Sequence, residues 1–146
     1  MIRAEWLNGR DDLSPVAAVW QCVNVNEKVT PASAGESNEA QYVLVRDGRR
    51  PVAAGCLINR DGRFTLDQIA VLSGERGQGY GDLVVRMLTR RAFELGGAEQ
   101  YVTAPAELIH FFEKAGYHTE GPAFIHNNAS YVAMIHQGDI QGACPV

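Results

Sequence analysis

The sequence predicts an α+β fold: a mixed, mostly antiparallel sheet with one parallel strand pair, flanked by helices. In the first half, apolar runs are separated by Asp47-Gly48 and Asp61-Gly62, which are hairpin signals and therefore indicate antiparallel strands. Later, the amphipathic segment 82–95 stands between two strand-like runs. A helical crossover of this kind joins parallel strands, so one parallel pair is expected.

The first half of the chain places one helix before the antiparallel strands. Residues 2–7 predict a short opening strand, and residues 11–15 supply capping residues and a proline suited to a first helical turn. Apolar residues at helical spacing extend this helix to about Asn24, whereas residues 27–39 lose periodicity and predict a loop. The three strands that follow are expected at Tyr42–Val45, Val52–Asn59 and Phe64–Leu72.

The second half alternates helices and strands. Asp82 suits the positive end of a helix dipole, and Gly96-Gly97 ends the helix over residues 82–95. After it we expect a strand at Gln100–Ala104, a helix at Ala106–Ala115 that stops at Gly116, and a closing hairpin in which Ala123–Ile125 and Ser130–Ile135 flank Asn127-Asn128.

Length and composition limit the function classes. The 146 residues suit one domain, expected over residues 1–146, and 46% hydrophobic residues are ordinary for a globular protein. A formal net charge of −4 argues against non-specific nucleic-acid binding, which needs a basic face. The chain has neither a long apolar run nor a signal-peptide core, so we expect no membrane partner. Cys22, Cys56 and Cys144 are scattered without ligand spacing, which predicts reduced thiols in a cytoplasmic protein and no metal site.

The most informative segment is Arg76-Gly77-Gln78-Gly79-Tyr80-Gly81, called the glycine turn below. Three glycines at alternate positions remove side chains from a turn, so that main-chain N–H groups can converge on one point. The helix that follows adds the unpaired N–H groups and the partial positive charge of its N-terminus. Strand, glycine turn and helix together predict a site for the phosphate groups of a cofactor.

Three phosphate-binding patterns compete for this turn. A Walker-type loop needs Lys and Ser or Thr after its last glycine, but Asp82 and Leu83 stand there. A dinucleotide-binding turn needs G-x-G-x-x-G, and the register from Gly77 and Gly79 reaches Asp82 instead. The pattern Q/R-x-x-G-x-G/A is met in full by Arg76, Gly79 and Gly81.

At these residues the chain resembles the GNAT superfamily of acetyl-CoA-dependent N-acetyltransferases. Ile69-Ala70-Val71 is similar to the family's strand before the turn, and the segment 111–117, Phe-Phe-Glu-Lys-Ala-Gly-Tyr, resembles its Phe-Tyr-Glu-Lys-x-Gly-Phe segment. The order of elements also matches over most of the chain. The resemblance implies a GNAT-like sheet whose two parallel strands splay apart, and a homodimer is common among such relatives.

The resemblance implies acetyl-CoA as the cofactor. Its diphosphate is expected on the main-chain amides of the glycine turn and of the helix start. Its pantetheine arm is expected along the backbone of Ile69 and Val71, facing Thr103 and Ala104, with the acetyl carbonyl near the N–H of Val71. The cofactor-binding residues so implied are Ile69, Ala70, Val71, Arg76, Gly77, Gln78, Gly79, Tyr80 and Gly81.

Family members often use an acidic residue on the strand before the turn as the base that accepts the amine's proton. Strand alternation predicts that Thr65, Asp67, Ile69 and Val71 share one face, which makes Asp67 the only carboxylate available there. The alternative is that Asp67 is a solvated or ion-paired strand residue.

The chain departs from the family at the group that protonates the leaving thiolate. Phe112 stands where the family has tyrosine, and phenylalanine carries no such proton. Tyr131 in the final hairpin is the preferred replacement, ahead of Tyr117 and His110. It could equally be a packed, half-buried tyrosine, and the thiolate could also leave unassisted because thiols are fairly acidic.

The remaining reactive side chains carry weaker signals. His118, His126 and His136 are scattered without ligand spacing and are expected at the surface. Cys56 lies in the middle of a predicted strand and is expected to be buried and inert.

The resulting prediction is an enzyme that transfers an acetyl group from acetyl-CoA to a primary amine of a small molecule or a peptide. The alternative is a non-catalytic acyl-CoA-binding or interaction module that kept the phosphate site and lost the chemistry. Phe112 favours the module, whereas the complete glycine turn and Asp67 favour the enzyme.

Overall fold

The computed structural model describes residues 1–23 and 40–139, and within these residues eight strands form one mixed sheet. The strand order is β1-β2-β3-β4-β5-β8-β6, and β7 also pairs with β8. The strands are Ile2–Asn8 (β1), Gln41–Asp47 (β2), Arg50–Arg60 (β3), Arg63–Val71 (β4), Glu99–Pro105 (β5), His118–Thr119 (β6), Phe124–His126 (β7) and Ala129–Gln137 (β8).

The described helices flank this sheet. They are Ser14–Val23 (α1), Tyr80–Glu94 (α2) and Ile109–Lys114 (α3), with short 3₁₀ turns at Ser73–Glu75 and Ala106–Leu108. Within the two described ranges, no helix combines the length and the apolar character that crossing a bilayer would require.

The pairing confirms the predicted fold class. Strands β1 to β4 pair antiparallel in sequence order, and β4 pairs parallel with β5 after the α2 crossover. The predicted helix over 106–115 is wrong at its start, because Ala106–Leu108 form a 3₁₀ turn whose last residue, Leu108, has φ −106° and ψ 5° and interrupts the helical backbone before α3. Strand β6 was not predicted, since its two residues are too short to show a pattern. The loop expected at 27–39 lies outside the described residues.

Apolar residues fill both faces of the sheet. On β2, Val43 and Val45 face α2, whereas Tyr42 and Leu44 face α1, as strand alternation requires. The two sides are called the α2 face and the α1 face below. The α2 face is filled largely by Leu57, Phe64, Leu66, Val84, Leu88, Val102, Val132 and Met134, and the α1 face by Val16, Val19, Trp20, Ala54, Cys56 and Ile58.

A β-bulge in β4 overturns one prediction. Cys56 pairs with Asp67 and Ala54 with Ala70, so Gln68 and Ile69 together lie opposite Gly55. Gln68 adopts φ +55°, in the left-handed region.

The extra residue resets the alternation of β4. Asp67 shares the α1 face with its partner Cys56, whereas Ile69 and Val71 pack against the core of the α2 face. The prediction that Thr65, Asp67, Ile69 and Val71 share one face is therefore wrong.

Gly55, opposite the bulge, allows α2 to approach β3 closely. A Cβ there would lie 2.6 Å from Val84 Cγ1 and 3.0 Å from Leu88 Cδ1. We expect Gly55→Ala to lower the free energy of unfolding by about 1–3 kcal/mol through overpacking, measured by urea denaturation. Gly9→Ala is the matched control, because a Cβ at Gly9 would meet nothing within 4 Å. Equal stability of the two variants would show that α2 can shift away freely.

Candidate active site

A cavity of about 600 Å³ lies at the carboxyl ends of the parallel strands β4 and β5. Ligands of sheets with parallel strands commonly bind at this position. All the predicted cofactor-binding residues except the exposed Gln78 line it. The lining residues are Ile69, Ala70, Val71, Glu75, Arg76, Gly77, Gly79, Tyr80, Gly81, Asp82, Glu107, Leu108 and Phe111.

The cavity exists because β4 and β5 part. Their ladder runs only from the Phe64–Gln100 pair to the Leu66–Val102 pair, so the later part of each strand leaves an open gap. On the other edge of β4, Leu72 N–H donates to Val52 O at 2.9 Å. Successive N–H groups of a strand point to opposite edges, so the N–H of Val71 points into the gap.

The glycine turn presents its backbone to the cavity. Gly77 and Gly79 have φ of +84° and +85°, a left-handed conformation that favours glycine. A Cβ at either position would meet nothing within 4 Å, so open space lies over the turn. At Gly81, by contrast, a Cβ would lie 3.3 Å from Phe111 Cζ.

Helix α2 begins directly in this turn. Gly79 is its N-cap, and the first helical bond runs from Leu83 N–H to Gly79 O at 3.0 Å. The N–H groups of Tyr80, Gly81 and Asp82 therefore precede the intrahelical ladder, as at any helix start. Together with the open turn, these donors can bind an anion such as a diphosphate.

Charged side chains surround the turn. Glu75, which lines the cavity, is buried and forms an ion pair with Arg50 at the start of β3. Asp82 pairs with Arg86 at 2.8 Å within α2. Arg76 is exposed and also lines the cavity.

Sequence reasoning gave no role to several lining residues. Glu107 and Leu108 belong to a 3₁₀ turn, and Phe111 to the short helix behind it. Phe111 lies in the family-like segment, which was the available signal for it. Glu75 adjoins the glycine turn, but a single acidic residue in a turn carries no recognisable pattern.

Asp67 lies on the α1 face and is exposed, and it is not among the residues that line the cavity. The N–H of Gln68 donates a hydrogen bond to Oδ1 of Asp67, at 2.9 Å. Desolvation by the surrounding protein raises the pKa of Asp67, although the Gln68 N–H and the charge of Arg60 oppose this. A carboxylate with a raised pKa is better matched to accepting a proton near neutral pH.

Tyr131 lies on the same face of the sheet as Asp67. Val132 and Met134 of β8 fill the α2 face, so the alternating Tyr131 points to the α1 side, opposite Pro105 of β5. Its half-buried ring stacks on Phe124 with the centroids 6.1 Å apart.

The other candidates for the thiolate's acid are placed less favourably. Tyr117 is buried with its hydroxyl 2.7 Å from Thr89 Oγ1. Burial raises the pKa of Tyr117 strongly, which makes it a poor proton donor. His110 is exposed and lies 3.7 Å from Glu113.

His136 is buried, so the expectation that it lies at the surface is wrong. Its Nδ1 lies 2.6 Å from Gln100 Oε1, and Gln100 Nε2 donates to Gly97 O at 2.6 Å. The ring fits because Gly116 has no side chain: a Cβ there would lie 2.9 Å from His136 Cδ2. Burial lowers the pKa of His136, which favours the neutral ring.

His118 and His126 are exposed, and Cys56 is buried, all as expected. Burial raises the pKa of the Cys56 thiol to about 12, which keeps it protonated and inert near neutral pH.

Comparisons with known proteins agree with this architecture. The sequence profile of the acetyltransferase (GNAT) family matches residues 9–117. The uncharacterized N-acetyltransferase YjcF of Bacillus subtilis is 32% identical over 80 residues, which are 55% of this chain and 57% of YjcF. The chain thus spans little more than half the length of this relative.

Solved structures share the fold at low sequence identity. An acyl-CoA N-acyltransferase from Pseudomonas aeruginosa matches with a TM-score of 0.80 at 15% identity, covering 93% of this chain and 99% of its own. A GNAT family acetyltransferase from Elizabethkingia anophelis, with acetyl-CoA bound, matches with a TM-score of 0.72 at 9% identity, covering 93% of this chain and 97% of its own.

The fold is that of solved acetyltransferases of the GNAT family, and the matched profile identifies the same family from the sequence. The chain belongs to the acetyltransferase (GNAT) family, whose profile covers most of its length.

The raised pKa of Asp67 has a consequence for stability. The folded state holds this proton more tightly than the unfolded chain does, so the contribution of Asp67 to stability falls as pH rises through its raised pKa. We therefore expect Asp67→Asn to raise the melting temperature at pH 7, with the difference disappearing below about pH 3.9, the ordinary aspartate pKa. Scanning calorimetry across this pH range measures it. Glu120→Gln, at an exposed carboxylate, is the control and should change stability by less than about 0.5 kcal/mol. A lower melting temperature for Asp67→Asn at pH 7 would contradict the expectation.

Proposed function

We propose that this protein transfers an acetyl group from acetyl-CoA to a primary amine of a small molecule or a peptide. The observation that carries the proposal is the glycine turn, whose main-chain donors line a cavity at the parted ends of β4 and β5. Family membership supports acyl transfer in general. The bound acetyl-CoA of the Elizabethkingia anophelis relative supports the choice of acyl donor.

The residues present fit this donor. Open space over Gly77 and Gly79 leaves room for a diphosphate against the N–H groups of the turn and of the start of α2. The backbone of Ile69–Val71 offers a strand edge to the pantetheine arm, because β5 does not pair with it. When bound, acetyl-CoA supplies an acetyl group activated as a thioester. The N–H of Val71 can stabilise negative charge on the thioester carbonyl oxygen.

Proton transfer is assigned to the α1 face. Asp67 accepts the proton of the substrate ammonium, which leaves the amine nitrogen free to form its bond to the acetyl carbon. The carbon–sulfur bond breaks, and Tyr131 donates a proton to the departing thiolate. The nitrogen loses its remaining extra proton as it becomes the amide, and this proton returns the Tyr131 phenolate to the neutral tyrosine. Asp67 and Tyr131 share one face of the sheet, so they can act on an acceptor that approaches from that side.

A non-catalytic acyl-CoA-binding module is the second candidate. The observation that favours it is Phe112, which is buried in the core and places no hydroxyl at the position of the family's tyrosine. Incubation with acetyl-CoA and a panel of amines, followed by a free-thiol assay, separates the two. Tight cofactor binding without thiol release for any amine would favour the module.

The binding site is tested by calorimetric titration of coenzyme A into the wild-type chain and into Gly79→Asn. Asparagine adopts the left-handed conformation more readily than most residues, so the backbone should be kept, while the new side chain enters the space over the turn. We expect affinity to fall at least about tenfold, equivalent to about 1.4 kcal/mol.

Gly62→Asn is the matched control for this titration, because Gly62 has φ +87° and equally open surroundings in the β3–β4 hairpin. Unchanged affinity in Gly79→Asn would refute the placement of the diphosphate. No heat of binding to the wild-type protein would refute the proposed function.

The role of Asp67 is tested by the pH dependence of turnover. We expect Asp67→Asn to reduce kcat by about 10²-fold near pH 7, where an amine with a pKa of about 10.4 is almost fully protonated. The loss should shrink as pH approaches the pKa of the amine, because solvent then supplies the free amine. Initial rates of thiol release from pH 6 to 10 measure it, and a parallel loss at every pH would remove Asp67 from the proton transfer.

A further inference from the structure

The charges around the cavity do not match an anionic ligand at first sight. Among the described residues that line the cavity, Glu75, Asp82 and Glu107 are acidic, whereas Arg76 is the only basic side chain. A diphosphate placed among these groups would meet more negative than positive charge, and repulsion between charges is strong where water is excluded. This inference rests on the proposed function, in which the cavity receives coenzyme A.

Glu75 is the most consequential of these acids because it is the least solvated. Its side chain is 11% exposed, whereas that of Asp82 is 44% exposed. Water screens the charge of Asp82, but it can do little for Glu75. An unpaired carboxylate at the position of Glu75 would therefore oppose an incoming phosphate most strongly.

Arg50 supplies the positive charge that balances Glu75, although it lies outside the cavity lining. It lies at the start of β3, and its Nη2 donates to Glu75 Oε1. Arg50 does not line the cavity, and its side chain is 58% exposed. The ion pair connects the β2–β3 hairpin to the 3₁₀ turn that precedes the glycine turn.

The first residue of α2 lies in the field of the same pair. Burial raises the pKa of Tyr80, the negative charges of Asp47 and Glu75 add to this, and Arg50 opposes it. Tyr80 also lines the cavity. The charge of Arg50 therefore acts at the start of α2, whose first N–H groups adjoin the cavity.

We propose that Arg50 is a positioning residue for coenzyme A, acting through Glu75. By neutralising the Glu75 carboxylate and holding it in place, Arg50 allows the glycine turn to accept a diphosphate. Arg86 does the same for Asp82 at 2.8 Å, with a smaller effect because the Asp82 side chain is more exposed than that of Glu75.

The test is a double-mutant cycle on the full chain with two probes, coenzyme A and inorganic pyrophosphate, measured by calorimetric titration. We expect Arg50→Gln to weaken the binding of both probes about tenfold, because it leaves a buried carboxylate facing the anion. Glu75→Gln alone should bind both at least as tightly as the wild type. The double variant should return to within about threefold of the wild type, because the repelling charge is gone.

Three further variants sharpen the cycle. Arg46→Gln removes a comparable arginine from its ion pair with Glu5, 2.9 Å away and outside the cavity lining, and should leave both affinities unchanged. Arg50→Lys keeps the charge and should retain most of the affinity. Arg86→Gln should weaken binding less than Arg50→Gln.

In an enzymatic assay, Arg50→Gln should raise KM for acetyl-CoA and leave kcat nearly unchanged.

Several outcomes would overturn the proposal. Unchanged affinity in Arg50→Gln would do so, as would a double variant that binds as weakly as Arg50→Gln, since Arg50 would then act without Glu75. If Arg50→Gln does not fold, the comparison of Glu75→Gln with the double variant still decides, and a large loss between them refutes the mechanism.

The probes also separate this inference from the proposed function. If pyrophosphate follows the cycle while coenzyme A does not bind the wild type, the function fails and the charge mechanism stands. If neither probe binds, both fail. If coenzyme A binds the wild type but all three variants of the cycle bind it with unchanged affinity, only the charge mechanism fails.

Discussion

The parting of two parallel strands is the constraint on which the rest of this structure depends. β4 and β5 share a ladder only as far as Leu66 and Val102, and their later residues leave main-chain groups without a partner strand. Unpaired backbone groups are costly when buried, so such a gap persists only where water or a ligand can satisfy them. The cavity at the ends of these strands therefore follows from the topology of the sheet, and the glycine turn opens directly onto it.

The bulge at Gln68 places different side chains of β4 on the two faces of the sheet beside this gap. It directs Ile69 and Val71 to the α2 face, where they support the wall of the cavity, while Asp67 stays on the α1 face. A regular strand would have placed all three side chains together. In the proposed function, the acyl donor and the base therefore approach the gap from opposite faces of the sheet, which keeps a carboxylate away from the diphosphate.

Local patterns made most of the fold, and the glycine turn that lines the cavity, predictable. Hairpin signals, helical periodicity and three alternate glycines each act over a few residues, and each is visible in one stretch of sequence. The features that escaped prediction depend on residues far apart in the chain. Gln68 is not a glycine, so nothing in the sequence indicates its positive φ. His136 is buried because Gly116, 20 residues earlier in the chain, leaves space for its ring. Arg50 and Glu75, 25 residues apart, meet only when the sheet forms.

In the proposed function, binding an anion through main-chain groups also explains why the side chains around the turn can be acidic. Backbone donors and a helix terminus supply attraction that does not depend on residue type, so acidic side chains nearby are compatible with anion binding. Such freedom has a limit where solvent is excluded, because a desolvated carboxylate needs a counter-charge. The Glu75 side chain is only 11% exposed and therefore needs such a counter-charge. The Asp82 side chain is 44% exposed, so water screens its charge. In the proposed mechanism, the arginine that pairs with Glu75 is thus required for anion binding by the backbone, even though it lies outside the cavity.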